Sequence, residues 1–162
     1  MRWLHNTPVL VVGVGNLYRG DDGVGLVVAR QLRAQPSANA VIREESGEGA
    51  SLIEAWQGAG SAIIVDAVQS GGKAGTIHHL DAGRHKIPSR FFHYSTHAFG
   101  VAEAIELART LKKLPPRLIL YGIEGKNFHA GRGFSPEVAM AVPQVVARIR
   151  KALDAFRNCT SS

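Results

Sequence analysis

Cysteine is nearly absent from the sequence: among 162 residues only Cys159, close to the C-terminal end, carries a thiol. A disulfide framework and a zinc site built from several cysteines are therefore excluded, and a reducing compartment fits best. Long hydrophobic runs are absent too. The apolar stretch 9–14 is interrupted by glycine and is too short for a signal sequence or a membrane span. We expect a soluble, cytoplasmic protein with no membrane partner.

Clusters of like charge are also scarce, although the formal net charge is +6 and the isoelectric point is near 9.9. The basic residues are scattered over many segments and are not interleaved with aromatic residues, which favours solvated helix faces over a nucleic-acid surface. With 45% hydrophobic and 20% charged residues, the composition is typical of one compact domain. We assign residues 1–162 to a single domain in which 157–162 form a frayed tail, and we expect no nucleic-acid partner.

Apolar segments and turn signals alternate along the chain in the order expected for strands and helices. The predicted strands are 8–14, 40–45, 62–68, an edge strand at 76–80, and 117–123. The predicted helices are a first one from Asp21 or Asp22 to Gln35, then 50–57, 98–112, and 135–156 with a kink or restart at Pro143. The pattern predicts an α/β fold, a single-domain three-layer sandwich with a mostly parallel, twisted sheet of about five strands and helices on both faces.

The segment from Gly13 to Tyr18 follows a strand and precedes a helix, as a dinucleotide-binding loop does. However, Tyr18 stands where the third glycine of that motif belongs. Asp21 and Asp22 also place negative charge at the helix entrance, where a pyrophosphate needs amide donors. A nucleotide-binding module is therefore the least favoured interpretation.

Three acidic residues are candidates for chemistry at the strand ends. Asp21 has an ordinary structural explanation as a helix N-cap, whereas Asp22 is harder to dismiss. Asp66 interrupts the apolar run 62–65 at the end of a central strand, where a buried carboxylate is costly unless it is paired. Because ligands of open α/β sheets bind beyond the carboxyl ends of the strands, Asp22 and Asp66 are expected to face each other. The structural alternative for Asp66 is a cap of the turn at 67–72.

Histidines offer several rival candidates for a third polar group. His97 stands immediately before or at the start of a predicted helix, and His78, His79, His85 and His93 have no better independent claim. His78 and His79 cannot share one ion, since neighbouring residues of a strand point to opposite faces. Two carboxylates and one imidazole, such as Asp22, Asp66 and His97, suit a borderline divalent metal. Spacing alone does not select this trio.

A resemblance does select it. The segments 10–16 (LVVGVGN) and 20–25 (GDDGVG) resemble the opening signature of the nickel-iron hydrogenase maturation proteases. The similarity continues in order through 63–67 (IIVDA), 95–97 (STH), 121–124 (YGIE) and 134–136 (FSP). The resemblance implies that Asp22, Asp66 and His97 bind nickel, and that the substrate supplies this nickel, which the protease does not hold permanently.

One loop departs from that family. The family often has an Asp-Gly-Gly-Thr-like sequence after the second strand, and this chain has Glu-Ser-Gly-Glu-Gly at 45–49. The residues expected to contact the substrate are Asn16, Gly47, Glu48 and Gly49, although an exposed loop glutamate is an equal explanation of Glu48. The departure leaves open which hydrogenase the chain serves and at which sequence it cuts.

The resemblance implies an endopeptidase that removes a C-terminal peptide from the nickel-loaded precursor of a hydrogenase large subunit and recognises the bound nickel. The catalytic group is left open, with Asp22 and Asp66 as candidates, because no serine or cysteine nucleophile has an evident partner and Cys159 lies in the tail. The alternative is a non-catalytic, nickel-binding chaperone of the large subunit. A monomer is the favoured oligomeric state.

Overall fold

The fold is a sheet of five strands flanked by helices, seen in a computed structural model that describes residues 7–92 and 99–158. The strands are β1 Val9–Val14, β2 Ala40–Glu45, β3 Ser61–Val68, β4 Ile77–Asp81 and β5 Arg117–Glu124. The helices are α1 Val24–Ala34, α2 Gly49–Ala55, α3 Val101–Thr110 and α4 Pro136–Asn158, with short 3₁₀ turns at Gly20–Gly23 and Ser89–Phe91. None of the described helices is long and apolar enough to cross a membrane.

The sheet has the strand order β2-β1-β3-β5-β4. Every neighbouring pair is parallel except β4 and β5, which are antiparallel. From β1 the chain moves first to β2 on one side and then to β3 on the other. The order of the strands therefore reverses between β1 and β3, and this is where open α/β sheets bind ligands.

Two hydrophobic clusters fill the space on either side of the sheet. Ile63 and Val65 of β3 face the side covered by α1 and α4, while Ala62 and Ile64 face the side covered by α2 and α3. Successive residues of a strand point to opposite faces, so β3 is buried on both sides. The continuous apolar run in its sequence has this physical cause.

Helix α1 packs unusually close to the sheet because Gly25 has no side chain. A Cβ atom at Gly25 would lie 2.3 Å from the backbone oxygens of Val14, at the end of β1, and of Val65, in the second half of β3. The first turn of α1 and the 3₁₀ turn before it are thereby held against the carboxyl ends of these two strands. A close helix approach, and not a bound phosphate, accounts for this glycine.

The predicted fold class and the order of the elements are confirmed. Helix α4 continues through Pro143 without a restart, and it extends to Asn158, two residues beyond its predicted end. A kink at Pro143 and a frayed tail at 157–162 stay predictions. Residues 159–162, with Cys159, lie outside the described part of the chain.

Candidate functional site

A pocket lies at the carboxyl ends of β1 and β3, at the point where the strand order reverses. Asp22, in the 3₁₀ turn after β1, and Asp66, in β3, both line it. The prediction that these two carboxylates face one crevice is therefore confirmed. Their neighbours in the wall come from the ends of β1 and β3, the loops that follow β2 and β3, and the start of α3: Val14, Gly15, Ser46, Gly47, Gln69 and Gly100.

Asp66 is on the same face of β3 as Ala62 and Ile64, because residues two apart share a face. Its residue surface is partly open to the pocket. Burial of the carboxyl raises the pKa of Asp66 well above its ordinary value, and the negative charge of Asp22 raises it further, against a hydrogen bond donated by the Ala67 N–H. A cation placed between the two carboxylates would relieve both costs.

Asp22 is held in place through its backbone. Its residue is 9% exposed, and its N–H donates to the Arg19 carbonyl oxygen at 3.1 Å. A Cβ atom at Gly15 would lie only 1.9 Å from the Asp22 carbonyl oxygen, and Gly15 has φ +149°. The second glycine of the opening motif thus allows the Asp22 turn to sit directly on the end of β1.

The four predicted substrate-contact residues are placed differently from one another. Gly47 lines the pocket, whereas Glu48 is exposed at the start of α2 and does not line it. Gly49 is buried, with its N–H donating to the Phe99 carbonyl oxygen at 2.9 Å. Asn16 is exposed, and its Oδ1 accepts the Tyr18 N–H at 2.9 Å. Their contact with a substrate stays a prediction.

The predicted third ligand, His97, lies outside the described residues, as does His93. The described residues on either side of that segment, Phe91 and Gly100, both line the pocket. Within residues 7–92 and 99–158 no group of three histidine, cysteine or acidic side chains could hold a metal ion. The described part of the candidate metal site is therefore a pair of carboxylates, Asp22 and Asp66.

The N-cap interpretation of Asp21 was wrong. The 3₁₀ turn begins without a side-chain cap, and the fully buried Asp21 carboxylate instead accepts hydrogen bonds from a distant loop. The donors are the N–H groups of Lys126 (2.8 Å), Asn127 (2.9 Å) and Ser135 (2.7 Å) and the Ser135 hydroxyl (2.7 Å). Burial alone would raise the pKa of Asp21, but these hydrogen bonds outweigh it and lower the pKa. Asp21 thus fixes the 126–135 loop, whose Phe128 lines the pocket, to the 3₁₀ turn that carries Asp22.

A second buried carboxylate, Glu124, was missed as a structural centre. It is 1% exposed and accepts hydrogen bonds from the Ser70 N–H (2.7 Å), the Ser70 hydroxyl (2.7 Å) and the Gly72 N–H (3.1 Å), and it contacts His78 Nε2 (2.9 Å). Burial opposes its ionisation, yet these partners lower the pKa of Glu124. The signal was present: Glu124 ends the apolar run of β5 as Asp66 ends that of β3.

Comparison with known proteins identifies the family. A family model described as hydrogenase maturation protease matches residues 27–152. This chain belongs to the hydrogenase maturation protease family. It is 31% identical over 121 residues to hydrogenase expression/formation protein HupD of Thiocapsa roseopersicina, covering 72% of this chain and 53% of that protein. It is 28% identical over 152 residues to the hydrogenase 2 maturation protease of Escherichia coli, covering 89% and 92%.

The chain thus spans about half the length of the Thiocapsa relative and about nine-tenths of the Escherichia coli one. Among solved structures, the hydrogenase maturating endopeptidase HybD of Escherichia coli superimposes with a TM-score of 0.74 at 22% identity, covering 92% of this chain and 93% of that one. An endopeptidase solution structure from Escherichia coli gives 0.79 at 24% identity, covering 91% and 92%. At such identities these structures support the fold alone.

The predicted family is confirmed, and with it the enzyme class, since the matched family is one of peptidases. The maturation protease fold places Asp22 and Asp66 in one pocket of this chain.

Proposed function

We propose that this chain is the endopeptidase that removes a C-terminal peptide from the nickel-loaded precursor of a hydrogenase large subunit, and that it recognises the nickel in that precursor. The observation that carries the proposal is the pairing of Asp22 and Asp66 in one pocket at the strand-order reversal. Two desolvated carboxylates repel each other unless a cation lies between them. A substrate that brings its own divalent metal supplies that cation.

In this proposal His97 is the third ligand. The resemblance to the family supports the assignment, and so does the position of Phe91 and Gly100 in the pocket wall on either side of the undescribed segment. An imidazole nitrogen with two carboxylate oxygens is a donor set that binds borderline metals such as nickel. The nickel belongs to the substrate, so it leaves with the mature large subunit.

The pocket then acts mainly by positioning. Asp22, Asp66 and His97 hold the substrate's nickel, and the peptide bond to be cut is fixed beside it. Water attacks the carbonyl carbon and gives its proton to a carboxylate of the pocket, while the leaving amine takes up a proton. Ser46 also lines the pocket, but among the described residues its hydroxyl has no histidine or carboxylate partner, and the proposal therefore assigns the attack to water.

We place the protein in the cytoplasm as a monomer whose partner is the precursor. The single cysteine supports a reducing compartment. Light scattering coupled to size exclusion tests the oligomeric state, and a mass twice that of the chain would contradict the monomer.

The function is tested by mass spectrometry of a precursor large subunit, nickel-loaded or nickel-free, after incubation with the protein. We expect one C-terminal peptide to be lost from the nickel-loaded form only, and Asp22→Ala, Asp66→Ala and His97→Ala each to abolish the loss. Asp154→Ala is the matched control, because Asp154 is exposed on α4, far along the chain from the pocket. Tight binding of the nickel-loaded precursor without any cleavage would overturn the proposal in favour of a nickel-binding chaperone.

A further inference from the structure

Two loops meet beside the pocket and are pinned to each other through their backbones. The Gly131 N–H donates to the Tyr18 carbonyl oxygen at 2.8 Å, and the Gly20 N–H donates to the Gly131 carbonyl oxygen at 3.0 Å. The Asp21 N–H donates to the Asn127 carbonyl oxygen at 2.8 Å, and the Asp21 carboxylate accepts four hydrogen bonds from the same loop region. The surface formed by these loops is therefore a defined one.

The side chains on this surface are basic and aromatic. We call Tyr18, Arg19, Lys126 and Arg132, all exposed, the cationic rim. Within the described residues no carboxylate lies within ion-pair distance of Arg19 or Arg132, and Lys126 shares its charge with Glu137 at 3.3 Å. The only acidic groups in these loops are Asp21 and Asp22, which are buried. The rim thus presents positive charge to solvent while the pocket beside it holds negative charge.

Tyr18 and Arg132 form an exposed pair on the rim. The Tyr18 residue is 66% exposed, and the Arg132 guanidinium carbon lies 5.3 Å from the centre of its ring. A guanidinium over a tyrosine ring is held in place by the ring's charge distribution, and tyrosine and arginine are enriched among the residues that dominate binding energy at interfaces. A large aromatic ring left in water beside an arginine that has no carboxylate partner among the described residues is the kind of surface that a partner covers.

The rim is continuous with the pocket. Phe128 belongs to the same loop as Lys126 and Arg132 and lines the pocket, where its ring packs so closely over Gly125 that a Cβ there would lie 2.4 Å from the ring. On the other loop, Gly15 and Asp22 line the pocket and enclose Tyr18 and Arg19 between them in sequence. The rim residues themselves do not line the pocket but belong to the two loops that do.

We propose that the cationic rim binds an acidic segment of the hydrogenase large-subunit precursor next to the bond that is cut. The proposal rests on the function proposed above. A substrate that carries a cation into the acidic pocket and an acidic segment onto the rim meets opposite charges at both places. Such paired complementarity fixes the direction of the bound chain and speeds the encounter.

The test compares two double variants with the same change in charge. The rim variant is Arg19→Glu/Arg132→Glu, and the control is Lys113→Glu/Lys151→Glu, at exposed positions that follow α3 and lie near the end of α4, away from the pocket. The measured quantity is the KM for cleavage of the nickel-loaded precursor at low and high salt. We expect the rim variant to raise KM about tenfold or more at low salt, with a smaller difference at high salt, and the control to stay within about twofold of the wild type.

A second readout separates failure of the rim from failure of the proposed function. A fluorescein-labelled glutamate-rich peptide, followed by anisotropy, needs no cleavage. Wild type and control should bind it and the rim variant should lose most of the binding. If the wild type binds the peptide in this way but cuts no precursor, the rim stands and the protease proposal fails. If the rim and control variants have equal KM values and bind the peptide equally well, the proposal that the rim binds an acidic segment is overturned.

Discussion

Asp21 and Asp66 lie at the same edge of the sheet and burial raises the pKa of each carboxyl, but their other neighbours act on them in opposite ways. Four hydrogen-bond donors surround Asp21, which lowers its pKa despite burial. Burial and the charge of Asp22 raise the pKa of Asp66 well above its ordinary value, and the one backbone hydrogen bond that would lower it is too weak to compensate. The fold therefore stabilises the charged form of Asp21 and destabilises the charged form of Asp66.

This difference in pKa separates a carboxylate with a structural role from the carboxylates of the candidate binding site. Asp21 uses its charge to tie the 126–135 loop to the start of α1, and so holds one side of the pocket. Asp66 and Asp22 keep a like-charge pair that costs stability, as sites that bind or react often do. The sequence does not distinguish Asp21 from Asp22 and Asp66, but in the structure only Asp22 and Asp66 line the pocket, where a ligand can reach them.

The largest expected effect is on activity. Asp66→Asn keeps the size of the side chain and removes its charge, so cleavage of the nickel-loaded precursor should slow by about a thousandfold, or ~4 kcal/mol in the activation barrier. Mass spectrometry of the released peptide over time measures it, with Asp154→Asn as the control. Cleavage within tenfold of the wild-type rate would show that Asp66 is not needed as an anion.

Next in size is the loss of the loop anchor. Asp21→Ala leaves several buried N–H donors without an acceptor, and the free energy of unfolding should fall by about 3 kcal/mol. Urea denaturation followed by circular dichroism measures the change. The exposed Asp154→Ala should change stability by less than about 0.5 kcal/mol. A loss at Asp21 no larger than that of the control would mean that solvent replaces the anchor.

A smaller effect is expected on the free energy of unfolding at acidic pH. The pKa of Asp21 lies below its ordinary 3.8 and that of Glu124 below its ordinary 4.5. Their contribution to stability is therefore complete above these ordinary values and is lost as pH falls through the lowered ones. Unfolding free energies measured from pH 7 downwards should decline in this acidic range, and less steeply in Asp21→Asn. Parallel pH profiles for the two proteins would contradict the assignment.

The smallest expected effect has the opposite sign. Because the pKa of Asp66 is raised above its ordinary 3.8, its ionisation destabilises the fold progressively as the pH rises above 3.8, and the loss is complete above the raised value. Asp66→Asn should then increase the free energy of unfolding by about 1 kcal/mol at neutral or alkaline pH, and the gain should vanish in acid. Thermal unfolding of both proteins at several pH values measures it. A less stable Asp66→Asn at alkaline pH would place Asp66 with Asp21 as a structural group.

Much of the fold could be predicted from local patterns. The continuous apolar runs located β1, β3 and β5 closely, because strands buried on both faces leave that signature. Helix α4 runs through Pro143 without a restart, because tertiary packing overrides the poor helix preference of proline. Pro143 is exposed, while Val142 and Val145 beside it are buried, so packing holds both halves of α4 in one helix.

The candidate site was predictable in part. Asp22 and Asp66 were expected to meet because parallel strands bring their carboxyl ends to one edge. The partners of Asp21 and Glu124 were not predictable in this way. Asp21 binds Ser135, 114 positions away, and Glu124 binds Ser70, 54 positions away. No local pattern records which distant loop will fill a buried carboxylate's hydrogen bonds.

By itself the sequence determined the order of strands and helices, the edge of the sheet at which the chemistry lies, and the family to which the chain is similar. These follow from hydrophobic periodicity and from motifs a few residues long, since both act between near neighbours. Only the tertiary structure decided that the Asp21 carboxylate is hydrogen-bonded to the 126–135 loop while Asp66 lacks such donors, and that two basic loops meet beside the pocket. Desolvation and hydrogen bonding depend on groups brought together from far apart, so two adjacent aspartates can have opposite roles.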